Sequence, residues 1–466
     1  MSDPLAGACS AIRDCWIGGG NAVPLAPPDW QALIAAPTPE ESERILVALT
    51  GQALEVAFRP ALPKDTIRAA TLPRLAKPIL PNPLRALFRH ALASVSGNSG
   101  TVLRLLERRG FCAHPLDWFP AASTDAPDLY APWQDWARSS GTAANDGADE
   151  LDADTWDDFQ PARRRALLKT LRRQNPVRAR ELIAAKAGQE TAEKRLALTE
   201  ILTIGLDSGD IPYLRSLATD RSGKLKLLAA RLLARLKQKS ETTPQEELAE
   251  LAGFLTVGSK GIFRRKPTVA PNPLQPRVQT RRQELFEQSA LPDIAAALGL
   301  TEAELIDGWQ FHQKNMTPDT AFVKMVLETA ADEFIPLLVN RLLEEDQPTL
   351  AALLAPRLDA DEQARIVKAI LANPSTPFCD LAQFGHGDLA GPDDILSSPV
   401  YRALKTGIRE QHSLPILNAL APIATAGAAR AVLDDLSSSS GIFPVDPALA
   451  FLRLNQELTP AASARI

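Results

Sequence analysis

Between Phe159 and Ser240 the chain repeats one unit, two short amphipathic helices joined by a turn, with little between successive copies. The clearest copy is Asp210–Leu236. Ile211, Leu214, Leu217 and Ala218 mark one face of its first helix; Leu225, Leu228, Ala229, Leu232, Leu233 and Leu236 recur at steps of three and four along its second. Helix pairs of this kind cannot bury their apolar faces alone, so neighbouring pairs must stack. Upstream, Leu167, Leu168 and Leu171 precede Asn175-Pro176, and Leu182 and Ile183 follow it. Leu198, Ile201, Leu202 and Gly205 then end on the turn Asp207-Ser-Gly-Asp210. Asp210 is placed to cap one helix, and Asp220 and Ser222 the next. A spacing of about forty residues per pair falls in the range of HEAT-type units.

The expected fold class is therefore all-α: a HEAT-like α-solenoid of antiparallel helix pairs, flanked by irregular N-terminal and C-terminal helical regions. Composition agrees. Aromatics are only 5%, a mix that favours helices packed through small side chains over strands. Thirty-eight prolines suit many short helices separated by turns. No strand is expected anywhere.

The remaining chain reads as an irregular N-terminus (1–28), an N-terminal helical domain (29–120), an acidic linker (121–158) and the repeats (159–240). A basic Pro-rich connector (241–284), a C-terminal helical domain (285–436) and a weakly patterned tail (437–466) follow. Within the linker, the Trp133/Trp136 pair is expected to dock on a neighbouring helix, and Gly141–Gly147 to be its flexible centre.

Charge is unevenly distributed behind a net −5. Ser123–Asp158 holds ten acidic residues against Arg138 alone, whereas Phe159–Ser240 holds nineteen Lys/Arg against seven Asp/Glu. Lys260–Arg282 adds seven basic residues and no acidic one. Arg163, Arg164, Lys169, Arg172, Arg173, Arg178 and Arg180 lie in the first helix pair, and Lys224, Lys226 and Arg231 in the last. Converging on one concave surface, these ten would form a basic binding surface able to track a phosphate backbone. The competing reading makes them solvated outer positions or partners of the acidic stretch. It is favoured, because no aromatic residues interleave to stack bases.

Motifs for chemistry are sparse. The five histidines are dispersed, and Cys112-Ala-His114 lacks a second ligand pair, so neither a metal nor a cofactor is expected. Cys112 reads instead as a small buried apolar residue. Gly97–Thr101 and Val257–Gly261 only faintly resemble phosphate loops. Asp157-Asp158 and Asp393-Asp394 read as helix-start acids rather than acid–base pairs. No serine or cysteine is tied to a histidine by spacing. Few, scattered cysteines, no apolar run of membrane length and no secretory pattern predict a cytoplasmic protein.

Two phrases carry a family resemblance: Leu171-Arg172-Arg173-Gln-Asn-Pro176-Val-Arg-Ala-Arg180, and Gly205-Leu-Asp through Leu214 and Asp220-Arg221-Ser222 to Ala229-Ala-Arg-Leu-Leu. With the Trp133/Trp136 segment, they resemble an uncharacterised bacterial family of HEAT-like helical-repeat proteins. That family often occurs in gene clusters with a MoxR-type AAA ATPase, a von Willebrand factor A domain protein and a SWIM zinc-finger protein. The resemblance implies a non-enzymatic scaffold or adaptor, with the ATPase or the von Willebrand factor A protein as partner. The alternative is nucleic-acid binding through the basic helices, at the extreme resembling HEAT-like DNA glycosylases.

Overall fold

A computed structural model describes residues 4–57, 71–95, 99–121, 126–138, 151–238, 244–260, 266–311, 316–373, 381, 384, 387–407, 414–440 and 446–458. The described chain is mostly helical, with twenty-four α-helices and one two-stranded sheet. It divides into two compact units, Met1–Arg68 and Ala69–Ile466.

The first unit contains α1 (Pro4–Ile17), α2 (Pro28–Ile34) and α3 (Pro39–Ala57). The irregular N-terminus expected before residue 29 is thus corrected to a helix of 14 residues. Its pattern is legible in retrospect: Cys9 and Ile12, one turn apart, are buried, and Gly18–Gly20 stop the helix, with Gly19 at φ +75°. Glu43 on α3 organises the unit. Its carboxylate accepts from Trp16 Nε1 (2.8 Å) and from the main-chain N–H of Ala22 (2.7 Å), above a core of Ile12, Ala22, Ile34 and Leu46.

The second unit begins with α4 (Asn82–Ser94), α5 (Ser99–Arg108) and α6 (Ala131–Arg138). Region 159–240 follows as α7 (Pro161–Gln174), α8 (Pro176–Ala187), α9 (Ala192–Glu200), α10 (Ile211–Ser216) and α11 (Gly223–Arg235). Leu168, Leu182, Ile183, Leu202, Leu214, Leu225, Leu232 and Leu233 form a core of their own there, joined by Trp156 and Phe159. The apolar stripe read from α11 is the face that is buried. Trp133 is buried, stacked on Phe119 with ring centres 5.5 Å apart, and its indole N–H donates to Pro73 O (2.9 Å). The expected flexible centre Gly141–Gly147 lies outside the described residues.

The expectation of no strand is corrected by an antiparallel hairpin. After α12 (Gln245–Gly253), β1 (Leu255–Lys260) pairs with β2 (Lys266–Pro271), Val257 facing Val269. These strands, with α12 before them and the start of a further helix at Pro276 after them, stand in the segment read as a Pro-rich connector. Pro267 and Pro271 disguise β2, because proline inside a short apolar run argues against a strand.

A second, larger core takes in α4–α6 and the helices from α12 to the C-terminal end. These include α13 (Pro276–Gln288), α14 (Leu291–Ala297), α15 (Glu302–Gly308), α16 (Met316–Thr329), α17 (Phe334–Glu344), α18 (Pro348–Ala352) and α19 (Ala360–Ala372). Next come α20 (Pro392–Leu396), α21 (Pro399–Gly407), α22 (Leu414–Leu420), α23 (Ala426–Ser440) and α24 (Ala450–Glu457). The last helix stands in the tail expected to be weakly patterned, and it packs back on α4. Asn455 ties α24 to the turn after α22 and to the end of α5: its amide N donates to Ala421 O (2.9 Å) and Ala424 O (2.8 Å), while its oxygen accepts from Arg109 (2.6 Å).

Candidate functional site

Helix α7 decides where the basic residues of region 159–240 go. Residues four apart share a helix face, so Arg164, Leu168 and Arg172 form one row and Arg165, Lys169 and Arg173 the adjacent one. The first row is buried. Arg164 donates to Glu190 (2.5 Å) and to Phe159 O (2.9 Å), with its guanidinium 4.5 Å from the centre of the Trp156 ring. Arg172 is fully buried. Its N–H groups reach Ile204 O (2.8 Å), Gly205 O (2.9 Å), Pro176 O (3.1 Å) and both oxygens of Asp210 (3.1 and 2.6 Å). Those five bonds use all five donors that an arginine has.

Asp210 is equally saturated, with a side-chain exposure of 0%. Besides Arg172 it accepts from Arg180 Nε (2.7 Å) and from Asp207 N–H (3.0 Å), filling the four acceptor directions of a carboxylate. Arg180 also reaches both oxygens of Asp207 (2.6 and 2.7 Å). Its guanidinium lies against Gly209, where an added Cβ would fall 2.4 Å from Nη1. The expected helix cap at Asp210 is therefore corrected: its side chain bonds no N–H of α10, and Asp207 caps the turn instead. Ser222 does cap α11, accepting from Leu225 N–H.

The idea of one basic surface is corrected by these placements. Arg164, Arg172 and Arg180 are held within region 159–240 by its own acids. Arg231 pairs with Glu328 (2.7 Å) and donates to Glu287 O (2.6 Å), binding α11 to the helices that follow. Arg163 rests on the Phe159 ring (5.0 Å), and its main-chain N–H donates to Asp135 (2.7 Å), a carboxylate of α6 that burial pushes above its ordinary range. Arg178 is half-buried, and its main-chain N–H donates to Asn175 Oδ1. Lys224 is exposed and Lys226 half-exposed beside Asp220.

What remains is the outer row of α7. Arg165, Lys169 and Arg173 line a cleft of about 460 Å³ whose far walls carry Asp128, Gln134 and Glu200. Lys169 pairs with Asp128 (2.9 Å), whereas Arg165 and Arg173 are exposed, Arg173 acting electrostatically on Glu107. Their separation along the helix is about 12 Å, eight residues at 1.5 Å each. The four-residue spacing with Lys169 was the available signal for Arg165. Nothing in the sequence announced Asp128, Gln134 or Glu200. A second cleft, of about 780 Å³, opens beside Arg180, Arg195, Tyr213 and Arg221; there Arg195 pairs with Asp220 (3.1 Å).

Other candidates resolve into structural roles. Cys112 is buried, and burial pushes its thiol up to about 11 while it donates to Lys77 O (3.1 Å). Asp394 accepts from Gly391 N–H (2.9 Å) at the start of α20. Residues Val257–Lys260, the phosphate-loop lookalike, are strand β1. Among the described residues no group of three or more His, Cys, Asp or Glu could hold a metal ion, and no helix is long and apolar enough to cross a membrane.

Residues 128–243 match the model of a family of unknown function, DUF5691. That span holds α6 to α11, the buried Arg172–Asp210 network and most of both clefts. No curated protein and no solved structure matches the chain.

Proposed function

We propose that this chain is a non-enzymatic adaptor whose region 159–240 stacks as a short HEAT-like solenoid and docks an acidic segment of a partner protein in the cleft beside α7. One observation carries the reading: α7 turns Arg164 and Arg172 inward onto internal acids and keeps Arg165 and Arg173 outward, about 12 Å apart, over an open cleft. An extended segment advances about 3.3 Å per residue, so acidic side chains four residues apart would meet both guanidiniums. The proposed partner is the MoxR-type AAA ATPase or the von Willebrand factor A protein of the resembling family's gene clusters.

The experiment is a calorimetric titration of the full chain with each purified partner, comparing wild type with the double variant Arg165→Glu/Arg173→Glu. Two charge reversals at an interface rim should weaken binding at least tenfold and steepen its salt dependence less than in wild type. Equal affinity in the two proteins, or no binding to either partner, defeats the reading. Nucleic-acid binding is the alternative outcome. Internal pairing of Arg164, Arg172, Arg180 and Arg231 leaves few cations for phosphates. A DNA complex losing about 10³-fold in affinity between 50 and 200 mM salt would overturn the adaptor reading in its favour.

A further inference from the structure

The hairpin's two outer edges are finished in opposite ways. Val269 O accepts from Gln310 N–H (2.8 Å), so the main-chain groups of Val269 point away from β1. Main-chain groups alternate sides along a strand, which puts Pro267 and Pro271 on that same outward edge. It is closed: two of its positions have no N–H, and the third is bonded to the residue after Trp309. Gly308 of α15 also lies against it, its Cβ position 2.7 Å from Pro267 O.

On β1 the same register turns Thr256, Gly258 and Lys260 toward β2 and sends the N–H and C=O of Leu255, Val257 and Ser259 to the other edge. The bond from Asn272 N–H to Phe254 O (2.9 Å) fits this phase. No described residue bonds the outward groups of Val257 or Ser259, and every residue from Thr256 to Lys260 is exposed. Among the described residues nothing covers this edge, and an edge without proline or bulge is a template for another strand.

We infer that β1 pairs antiparallel with β1 of a second copy of this chain, about a two-fold axis at Val257. This inference is independent of the α7 cleft. In that register Val257 faces Val257 of the other copy and Leu255 faces Ser259, so outward groups meet outward groups. The charges select this arrangement. Parallel pairing would set Lys260 against its own copy. Antiparallel pairing separates the two by about 20 Å, six positions at 3.4 Å, which exceeds the ~8 Å screening length. It also brings each Lys260 beside Phe254, the C-terminal cap of α12, where helix carbonyls favour a cation.

A six-residue edge buries less than the ~1,200 Å² of durable complexes, so the association is concentration-dependent. Sedimentation equilibrium of the full chain, from about 1 to 200 µM, tests it on wild type, Val257→Pro and Ser259→Pro. Each proline removes an N–H that points away from β2, as Pro267 and Pro271 do on the other edge. Wild type should show a reversible monomer–dimer equilibrium that both variants lose, with thermal unfolding close to wild type. Thr256→Pro, which breaks the internal ladder, should instead lower the melting temperature. Wild type that stays monomeric throughout, or proline variants that dimerise as wild type does, overturns the inference. A wild-type monomer that captures an unrelated extended peptide at this edge would also overturn it, in favour of a foreign strand.

Discussion

Replacing Asp210 by alanine should destabilise the helices of region 159–240 by about 3–5 kcal/mol, the cost of stripping one partner from a buried ion pair. The structure supplies the reason. The Arg172 side chain has 0% exposure, and two of its five N–H groups end on Asp210, so its charge keeps its burial and loses its counter-ion. Arg180 Nε loses an acceptor too, although that side chain keeps Asp207. Unmatched buried donors cost about 1–3 kcal/mol each, in line with that total. Pairing the change with Arg172→Met removes the stranded charge, so the double variant should cost less than the sum of the singles by about 2–3 kcal/mol. Hydrogen exchange of the α7–α10 amides reads this locally, and Trp156, buried in the same core, offers a fluorescence signal. A cost below about 1 kcal/mol for Asp210→Ala, or strict additivity in the cycle, would refute the claim that this network holds the helices in register.

Two further predictions follow from local geometry. Gly209→Ala should push the Arg180 guanidinium off Asp207 and Asp210, costing about 1–3 kcal/mol through the charge-assisted hydrogen bonds lost; an unchanged denaturation midpoint would contradict the contact. Asp117 accepts from Arg85 (2.6 Å) and Arg89 (2.6 Å), and the Arg85 bond, opposed by burial, holds its carboxyl below the usual range. A depressed folded-state value means that its contribution is complete above the unfolded carboxylate value near 3.9 and is lost as pH falls through the folded one. Wild type should therefore lose more stability than Asp117→Asn between about pH 5 and 2, and parallel stability curves would exclude this linkage.

Much of the helical architecture was legible because apolar spacing is a local property. The α11 stripe from Leu225 to Leu236 names its own buried face, and the Asp207–Asp210 turn is readable from residue type alone. Strand β2 and helix α1 were missed for local reasons as well: Pro267 and Pro271 imitate a linker, and Gly18–Gly20 with nearby prolines imitate a disordered end. The site was harder. Arg164 and Arg165 are chemically identical neighbours, yet one lies under Glu190 and the other faces a cleft.

Side-chain spacing thus determined that this protein is mostly helical and, between Phe159 and Leu236, which stripes leave water. Only the tertiary structure decided which arginines remain available. A guanidinium is stable inside only if a carboxylate arrives to match it, and for Arg172 that carboxylate comes from Asp210, on a different helix pair. Long-range pairing of this kind leaves no periodic trace in the sequence, because the partners are set by packing and not by spacing.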